Sequence, residues 1–160
     1  MITRAVSTER MSMNDEELER MIAGFMRTQG MCVLSTCSGG EPRASAVEFF
    51  PVGTTIYVLT EGGRKIENIE NNPYVSVAIH TQFTGWDSIK GIQISGKAEI
   101  GASGSKVFDE GVEAYRRRRH LKSVSVPSFM HIIKVIPQKI EYLDATLRAK
   151  KLDIKHVLEY

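Results

Sequence analysis

The sequence has no apolar run long enough to cross a membrane as a helix, since its longest apolar stretches have the length of strands. The polar stretch from Met1 to Met13 also lacks the apolar centre of a secretion signal. The net charge is only +2, which does not favour a polyanionic partner. We therefore expect a cytoplasmic protein that acts neither at a membrane nor on nucleic acid.

Cysteine is scarce, with Cys32 and Cys37 five positions apart in one predicted strand. This odd spacing places them on opposite faces and about 16 Å apart, so they cannot form a disulfide with each other. Free thiols agree with a reducing compartment. The four histidines show no metal-ligand spacing, and we expect no metal. No side chain is a convincing catalytic acid, base or nucleophile.

The chain has 160 residues, of which 42% are hydrophobic and 25% charged, as expected for one globular domain over 1–160 with a core at about 15–145. Alternating apolar positions predict six mainly antiparallel strands, and few helices accompany them. This combination favours a mainly β fold, a β-barrel with peripheral helices. The predicted strands are 31–37, 42–50, 54–60, 74–81, 88–100 and 130–142. The predicted helices run from Ser12 or Asn14 to Gly30, from 64 to 71, from 105 to 120 and through the tail 146–160.

One segment brings together groups that bind phosphate. Arg43 and Ser45 are two apart on a predicted strand, so their side chains leave the same face. Arg64 and Lys65 follow a glycine pair at a helix start, where backbone N–H groups and the helix dipole favour an anion. Thr60 ends the strand before the glycines. These groups could converge on one phosphate; the alternative is ordinary solvated surface.

Three short runs, taken in order, carry a family resemblance. They are GEPRAS at 40–45, RK at 64–65 followed by IENNPYVS at 69–76, and ISGKAE at 94–99. Together they resemble the pyridoxamine 5′-phosphate oxidase-like flavoproteins. The resemblance implies a six-stranded antiparallel FMN-binding split barrel and a homodimer with two FMN sites at the subunit interface.

The resemblance also implies roles for individual residues. Arg43 resembles the family's phosphate-binding arginine, and the Arg64–Lys65 pair resembles its arginine–lysine phosphate pair. A strand segment of small residues resembles the one that runs along the flavin ring, where a flat ring needs close approach to the backbone. The remaining implied contacts are Ala44, Ser45, Ala46 and Val47 on that segment, and Leu59 and Thr60 on a second strand.

Trp86 belongs to a loop with two aromatic residues, Phe83 and Trp86. Two interpretations stay open. The aromatics either cover a barrel end or form the dimer interface, or they line the flavin or substrate pocket from the partner subunit. On the second interpretation Trp86 is a cofactor-binding residue.

The resemblance implies an oxidoreductase that transfers hydride or electrons through FMN to an unknown substrate. A non-catalytic flavin-binding module is one alternative. A haem or deazaflavin binder on the same barrel is another, because related split barrels bind haem and a histidine could be its axial ligand.

Three departures argue against true pyridoxamine 5′-phosphate oxidase activity. Glu48 stands where those oxidases carry a lysine, and a carboxylate there would repel the phosphate of the substrate. Gly91 stands where they carry a glutamine near the flavin. The C-terminal segment lacks their tryptophan-to-arginine motif, because Trp86 is the only tryptophan.

The run from Arg116 to His120 is strongly basic and invites a nucleic-acid interpretation. It also ends a predicted helix, where cations complement the dipole and are usually solvated. Acidic residues one or two turns earlier could pair with some of them. We expect no nucleic-acid partner.

Overall fold

The computed structural model describes residues 12–160, and this part of the chain forms one sheet of eight strands with three α-helices. The strands are β1 (Met31–Ser38), β2 (Glu41–Glu48), β3 (Phe50–Val52), β4 (Thr55–Thr60), β5 (Tyr74–His80), β6 (Lys90–Ala102), β7 (His131–Asp144) and β8 (Lys155–Glu159). The helices are α1 (Asp15–Thr28), α2 (Arg64–Asn71) and α3 (Lys106–Arg118), with short 3₁₀ helices at Trp86–Ser88 and Ala145–Lys150.

Every strand pairing in the described residues is antiparallel, in the order β2-β1-β5-β6-β7-β4-β3, with β8 also paired to β7. The predicted mainly antiparallel β fold with few helices is confirmed. The predicted strand number of six is wrong, because the described chain contains eight. None of its helices is long and apolar enough to cross a membrane.

One additional strand arises because the predicted strand 42–50 is interrupted at Phe49. Phe49 and Phe50 are consecutive, and both are almost completely buried. They enter different apolar clusters: Phe49 joins the main core, and Phe50 packs beneath α3. Since neighbouring strand residues point to opposite faces, the chain can bury both rings only where apolar layers cover each face. The chain passes between the layers here, and β3 begins at Phe50.

The tail 146–160 is helical only in the short 3₁₀ helix Ala145–Lys150, so the prediction of a helix through the whole tail is wrong. The 3₁₀ helix ends at Lys150, and the next residue, Lys151, has a left-handed φ of 58°. Beyond it, buried His156 and Leu158 alternate with exposed neighbours. This period of two lets β8 bury one face while it pairs with β7, and a helix could not do so.

The helix ends follow from local capping. The side chain of Asn14 accepts a hydrogen bond from the backbone N–H of Glu17 at 2.9 Å, so Asn14, one of the two predicted starts of α1, is its N-cap. The hydroxyl of Ser105 caps α3 in the same way, by accepting from Phe108 N–H at 3.2 Å. Helix α2 differs, since its N-cap is Gly63 and no side chain caps it.

The two cysteines behave as their spacing predicts. Cys32 is buried, Cys37 is half-buried, and both are free thiols. Burial raises the pKa of the Cys32 thiol to about 12, so this group stays protonated at neutral pH.

Candidate functional site

A glycine turn between β4 and α2 forms the centre of the candidate site. Thr60 is buried at the end of β4 and exchanges two hydrogen bonds with Gly62: its hydroxyl accepts from the Gly62 N–H at 3.2 Å and donates to the Gly62 carbonyl at 3.3 Å. Gly62 and Gly63 have φ values of 135° and 91°, which side chains disfavour. A Cβ on either would meet nothing within 4 Å, so conformation rather than crowding requires glycine here.

The start of α2 faces an open cleft of about 680 Å³. Three predicted site residues, Leu59, Thr60 and Lys65, line this cleft together with Met130, Glu61 and the two glycines. Because no side chain caps α2 at Gly63, its first N–H groups keep the partial positive charge of a helix start. The arrangement is suited to an anion.

The register of β2 places Arg43 and Ser45 on the inner face of the sheet. Arg43 pairs with Thr36 and Ser45 with Leu34, and both partners are buried. Residues directly opposite in an antiparallel pair point to the same face. Asn68 of α2 donates a hydrogen bond to Thr36 at 3.0 Å. The side chains of Arg43 and Ser45 therefore leave β2 on the side where α2 packs, as their spacing predicts.

A residue that sequence reasoning missed connects β2 to α2. Glu41 lies two positions before Arg43, and its Oε2 atom is 3.5 Å from Nη1 of Arg64. Both side chains are more than half exposed, so the pair contributes little to stability. It does hold the Arg64 guanidinium beside the strand that carries Arg43. An anion bound here would compete with Glu41 for Arg64.

His131 is a second residue that sequence reasoning missed at this end of the sheet. It pairs with Thr60 across β4 and β7, so the two side chains share a face. Within residues 12–160, its Nδ1 is the single buried side-chain N or O atom without a hydrogen-bond partner. Nothing in the local sequence marks it, because the position follows from long-range strand pairing.

The segment predicted to run along a flavin ring divides between the two faces of β2. Val47 pairs with buried Cys32 and packs against the main core. Ala44 and Ala46 pair with Ser35 and Val33 on the outer face and are exposed. A flat ring could approach the backbone closely at these two alanines, and β2 is the last strand on its side of the sheet.

Uncharged residues cover the central outer face of four neighbouring strands. A sheet face in water normally carries charged as well as polar side chains, and this central area has none that are charged. The residues, which are exposed or half-buried, are Val33, Ser35, Cys37, Pro42, Ala44, Ala46, Ser76, Ala78, Gly91, Gln93 and Ser95.

Comparison with protein families agrees with this fold. The family described as pyridoxamine 5′-phosphate oxidase matches residues 18–144, which is most of the chain. The chain belongs to the pyridoxamine 5′-phosphate oxidase family. No protein of curated function matches it in sequence.

Solved structures of oxidase-family fold include proteins that bind different cofactors. A candidate pyridoxamine 5′-phosphate oxidase from Listeria innocua is 25% identical, with a TM-score of 0.63 over 79% of this chain and 98% of that one. A FAD-binding protein from Mesorhizobium loti is 16% identical, with a TM-score of 0.59 over 80% and 92%. A heme-binding protein from Mycobacterium smegmatis is 15% identical, with a TM-score of 0.65 over 93% of this chain and 59% of that one.

In this oxidase-family chain, Trp86 lies far along the sheet from Thr60 and the glycine turn. Its side chain is 79% exposed and meets Phe83 edge to face, with ring centroids 5.5 Å apart. Trp86 precedes the Lys90 end of β6, whereas Thr60 neighbours the Ala102 end through His131. About 40 Å of strand separates these ends at roughly 3.3 Å per residue. Within one chain, Trp86 does not join the group around Thr60.

Internal contacts occupy most of the basic run from Arg116 to His120. Arg116 and Arg117 bind Glu113, and these contacts lower the pKa of that carboxyl to about 2. Arg118 donates to the backbone carbonyls of Arg27 and Gln29 at the end of α1. The fourth arginine, at position 119, pairs with the last residue of β2.

Proposed function

We propose that this chain binds FMN and acts as a flavin-dependent oxidoreductase. One observation carries the proposal: the uncapped, glycine-led start of α2, with Lys65 and Thr60 on its cleft, lies on the side of the sheet to which Arg43 points. The terminal phosphate of FMN is the ligand that this set of cations, hydroxyls and N–H groups suits best. Family membership supports the same assignment.

The proposed ring contacts lie on the opposite face of β2 from Arg43, so a cofactor that reaches both would pass around the edge of this last strand. Ala44 and Ala46 leave the outer face of β2 accessible to a flat ring. Val47 has a packing role instead, since it lies against the main core. When bound, FMN supplies transfer of hydride or electrons, and the protein holds and orients it. The chain's own contribution is to fix the phosphate at α2 and to shape access to the ring.

We further propose that the active form is a homodimer. The uncharged outer face of the sheet includes the two alanines on β2, so a second copy covering this face would also cover the proposed ring contact. Trp86 would then come from the partner subunit, since within its own chain it lies far from Thr60. The exposed pair Phe83–Trp86 is typical of interface aromatics.

Haem binding is the second candidate, favoured by the fold shared with the heme-binding protein from Mycobacterium smegmatis. The visible spectrum of the purified protein separates these possibilities, because flavin, deazaflavin and haem absorb at different wavelengths. A flavin spectrum whose ligand is released as FMN supports the proposal, and a Soret band in its place overturns it. Reduction of the bound flavin by a nicotinamide donor would distinguish an oxidoreductase from a flavin-storage module.

A further inference from the structure

A second cavity, also of about 680 Å³, lies near the Lys90 end of β6. It is open to solvent on one side and is lined by α1, the loop that follows β5 and the 3₁₀ helix at Ala145–Lys150. Its volume falls in the range of small-molecule sites, roughly 300–1,000 Å³. None of the residues assigned to the flavin lines it.

The cavity has an apolar floor. Met21 and Phe25 contribute from α1, and Leu147 contributes from the 3₁₀ helix. The ring of Tyr142 adds a second aromatic surface, with its centroid 6.0 Å from that of Phe25 and the planes tilted by 54°. Such a floor favours a ligand with a flat apolar body.

The polar groups of the cavity favour an anion. Asp144 is its one carboxylate and is 3% exposed. One Asp144 oxygen accepts from the backbone N–H and hydroxyl of Thr146, and the other accepts from the Tyr142 hydroxyl at 2.9 Å. Groups of the protein itself therefore supply the hydrogen-bond donors that the Asp144 carboxylate needs. Lys90 lies 3.6 Å from Asp144 and is 36% exposed on its side chain, so its ammonium group retains N–H donors for a ligand.

The presence of glycine at position 24 is an independent indication that this cavity binds a ligand. Gly24 lies inside α1, where glycine costs about 0.5–1 kcal/mol relative to alanine. Its backbone φ is not left-handed, and a Cβ would meet only the Arg27 guanidinium at 3.8 Å, an ordinary contact. Nothing within the described chain therefore requires glycine. A longer side chain at position 24 would extend into the cavity that Gly24 lines.

We propose that this cavity binds a small organic anion with a flat apolar body. The acid group of the ligand pairs with Lys90, and its body lies against Phe25 and crosses α1 at Gly24. This site does not depend on the flavin and would exist in a chain that binds haem instead.

The matched probes are anilinonaphthalene sulfonate and its uncharged counterpart phenylnaphthylamine, titrated by fluorescence into the cofactor-loaded protein. We expect saturable binding of the sulfonate at one site per chain. Gly24→Leu should weaken both probes about tenfold or more by filling the cavity, while Gly30→Leu, outside α1 with nothing near its Cβ, should leave them unchanged. Gly24→Met is the second variant if Gly24→Leu alters the unfolding temperature.

The charge is tested separately. Lys90→Met should weaken the sulfonate about tenfold and leave the uncharged amine unaffected, because a charged hydrogen bond contributes roughly 1.5–3 kcal/mol. Lys90→Arg should retain sulfonate binding, and Lys122→Met, at an exposed lysine elsewhere, serves as control. The Arg43→Ala change should not alter either probe.

Three results would overturn the proposal. They are the absence of saturable sulfonate binding, unchanged binding in a folded Gly24→Leu or Gly24→Met protein, and equal loss of both probes in Lys90→Met. Loss of the sulfonate in Arg43→Ala would instead assign the probe to the flavin site and would also overturn it.

Discussion

A single guanidinium nitrogen of Arg119, Nη2, lies 2.7 Å from one carboxylate oxygen of Glu48 and 2.8 Å from the other. Glu48 ends β2, directly after the segment proposed to contact flavin. Arg119 follows α3 and lies over the ring of Tyr115, 4.9 Å from its centroid. The ion pair ties this end of β2 to α3. It also means that the carboxylate at Glu48 is neutralised by a neighbour and is not a free repulsive charge.

The first prediction concerns pyridoxamine 5′-phosphate. The FMN-loaded protein should oxidise it weakly or not at all, and Glu48→Lys should not restore activity. A lysine at position 48 would face Arg119 and repel it, and the C-terminal tryptophan-to-arginine motif would still be missing. The oxidase activity is measured as the rate at which pyridoxal 5′-phosphate forms, which its absorbance reports. Glu48→Gln is the matched control, because it removes the carboxylate without adding a cation. Robust turnover by the unmodified protein would contradict the prediction.

The second prediction is that FMN binds much more tightly than riboflavin. Arg43→Ala and Lys65→Met should each weaken FMN about tenfold or more, since charged hydrogen bonds contribute roughly 1.5–3 kcal/mol. Both variants should leave riboflavin affinity nearly unchanged. Calorimetric titration of both ligands provides the test, with Lys122→Met as control. Equal affinities of the unmodified protein for FMN and riboflavin would remove the basis for a phosphate site.

The third prediction concerns packing between α3 and β7. A Cβ on Gly111 would lie 2.5–2.7 Å from three side-chain carbons of Ile132, which is fully buried. Gly111→Ala should therefore destabilise the protein by about 1–3 kcal/mol despite its better helix propensity. Denaturant unfolding measures the loss. Ile132→Val in the same chain should recover part of it, and strict additivity of the two changes would argue against the contact.

The fourth prediction concerns acid stability at Asp144. Burial alone would raise the pKa of this carboxyl, but hydrogen bonds from Thr146 and Tyr142 and the charge of Lys90 outweigh it, so the pKa lies below 3.8. The unfolded state therefore binds the proton more readily than the folded state. The stabilisation is present above about pH 4 and is lost as pH falls through the lower, folded value. Unfolding at a series of pH values should show this loss in the unmodified protein and a smaller acid dependence in Asp144→Asn.

The fifth prediction is that the chain sediments as a dimer through the outer face of the sheet. Ala46→Asp should dissociate it, because burying an unpaired carboxylate costs about 3–5 kcal/mol. Ser103→Asp, on an exposed turn, should leave the dimer intact. A folded monomer that still holds flavin would show that the site needs no second copy.

Regular alternation made much of the sheet predictable. Val75, Val77 and Ile79 are all buried on β5, as their spacing indicates. The two wrong strand predictions have local causes. The alternating pattern of β8 is only five residues long. At Phe49 the chain crosses from the main core to the apolar cluster beneath α3. For the candidate site, spacing predicted the shared face of Arg43 and Ser45. The contact of Glu41 with Arg64 and the place of His131 depend on register between distant segments, which one sequence does not reveal.

The position of β7 has a consequence for how the protein is made. This strand pairs with β4, β6 and β8, so Thr60 at the end of β4 acquires its neighbour His131 only after more than a third of the chain has followed it. Translation adds about 5–20 residues per second, and contacts between distant segments form late because closing a long loop is entropically unfavourable. A nascent chain that already contains Arg43, Arg64 and Lys65 still lacks the cleft at the start of α2. We therefore expect the cofactor to be captured after β7 is synthesised, and truncated chains that end before β7 to be unable to retain it.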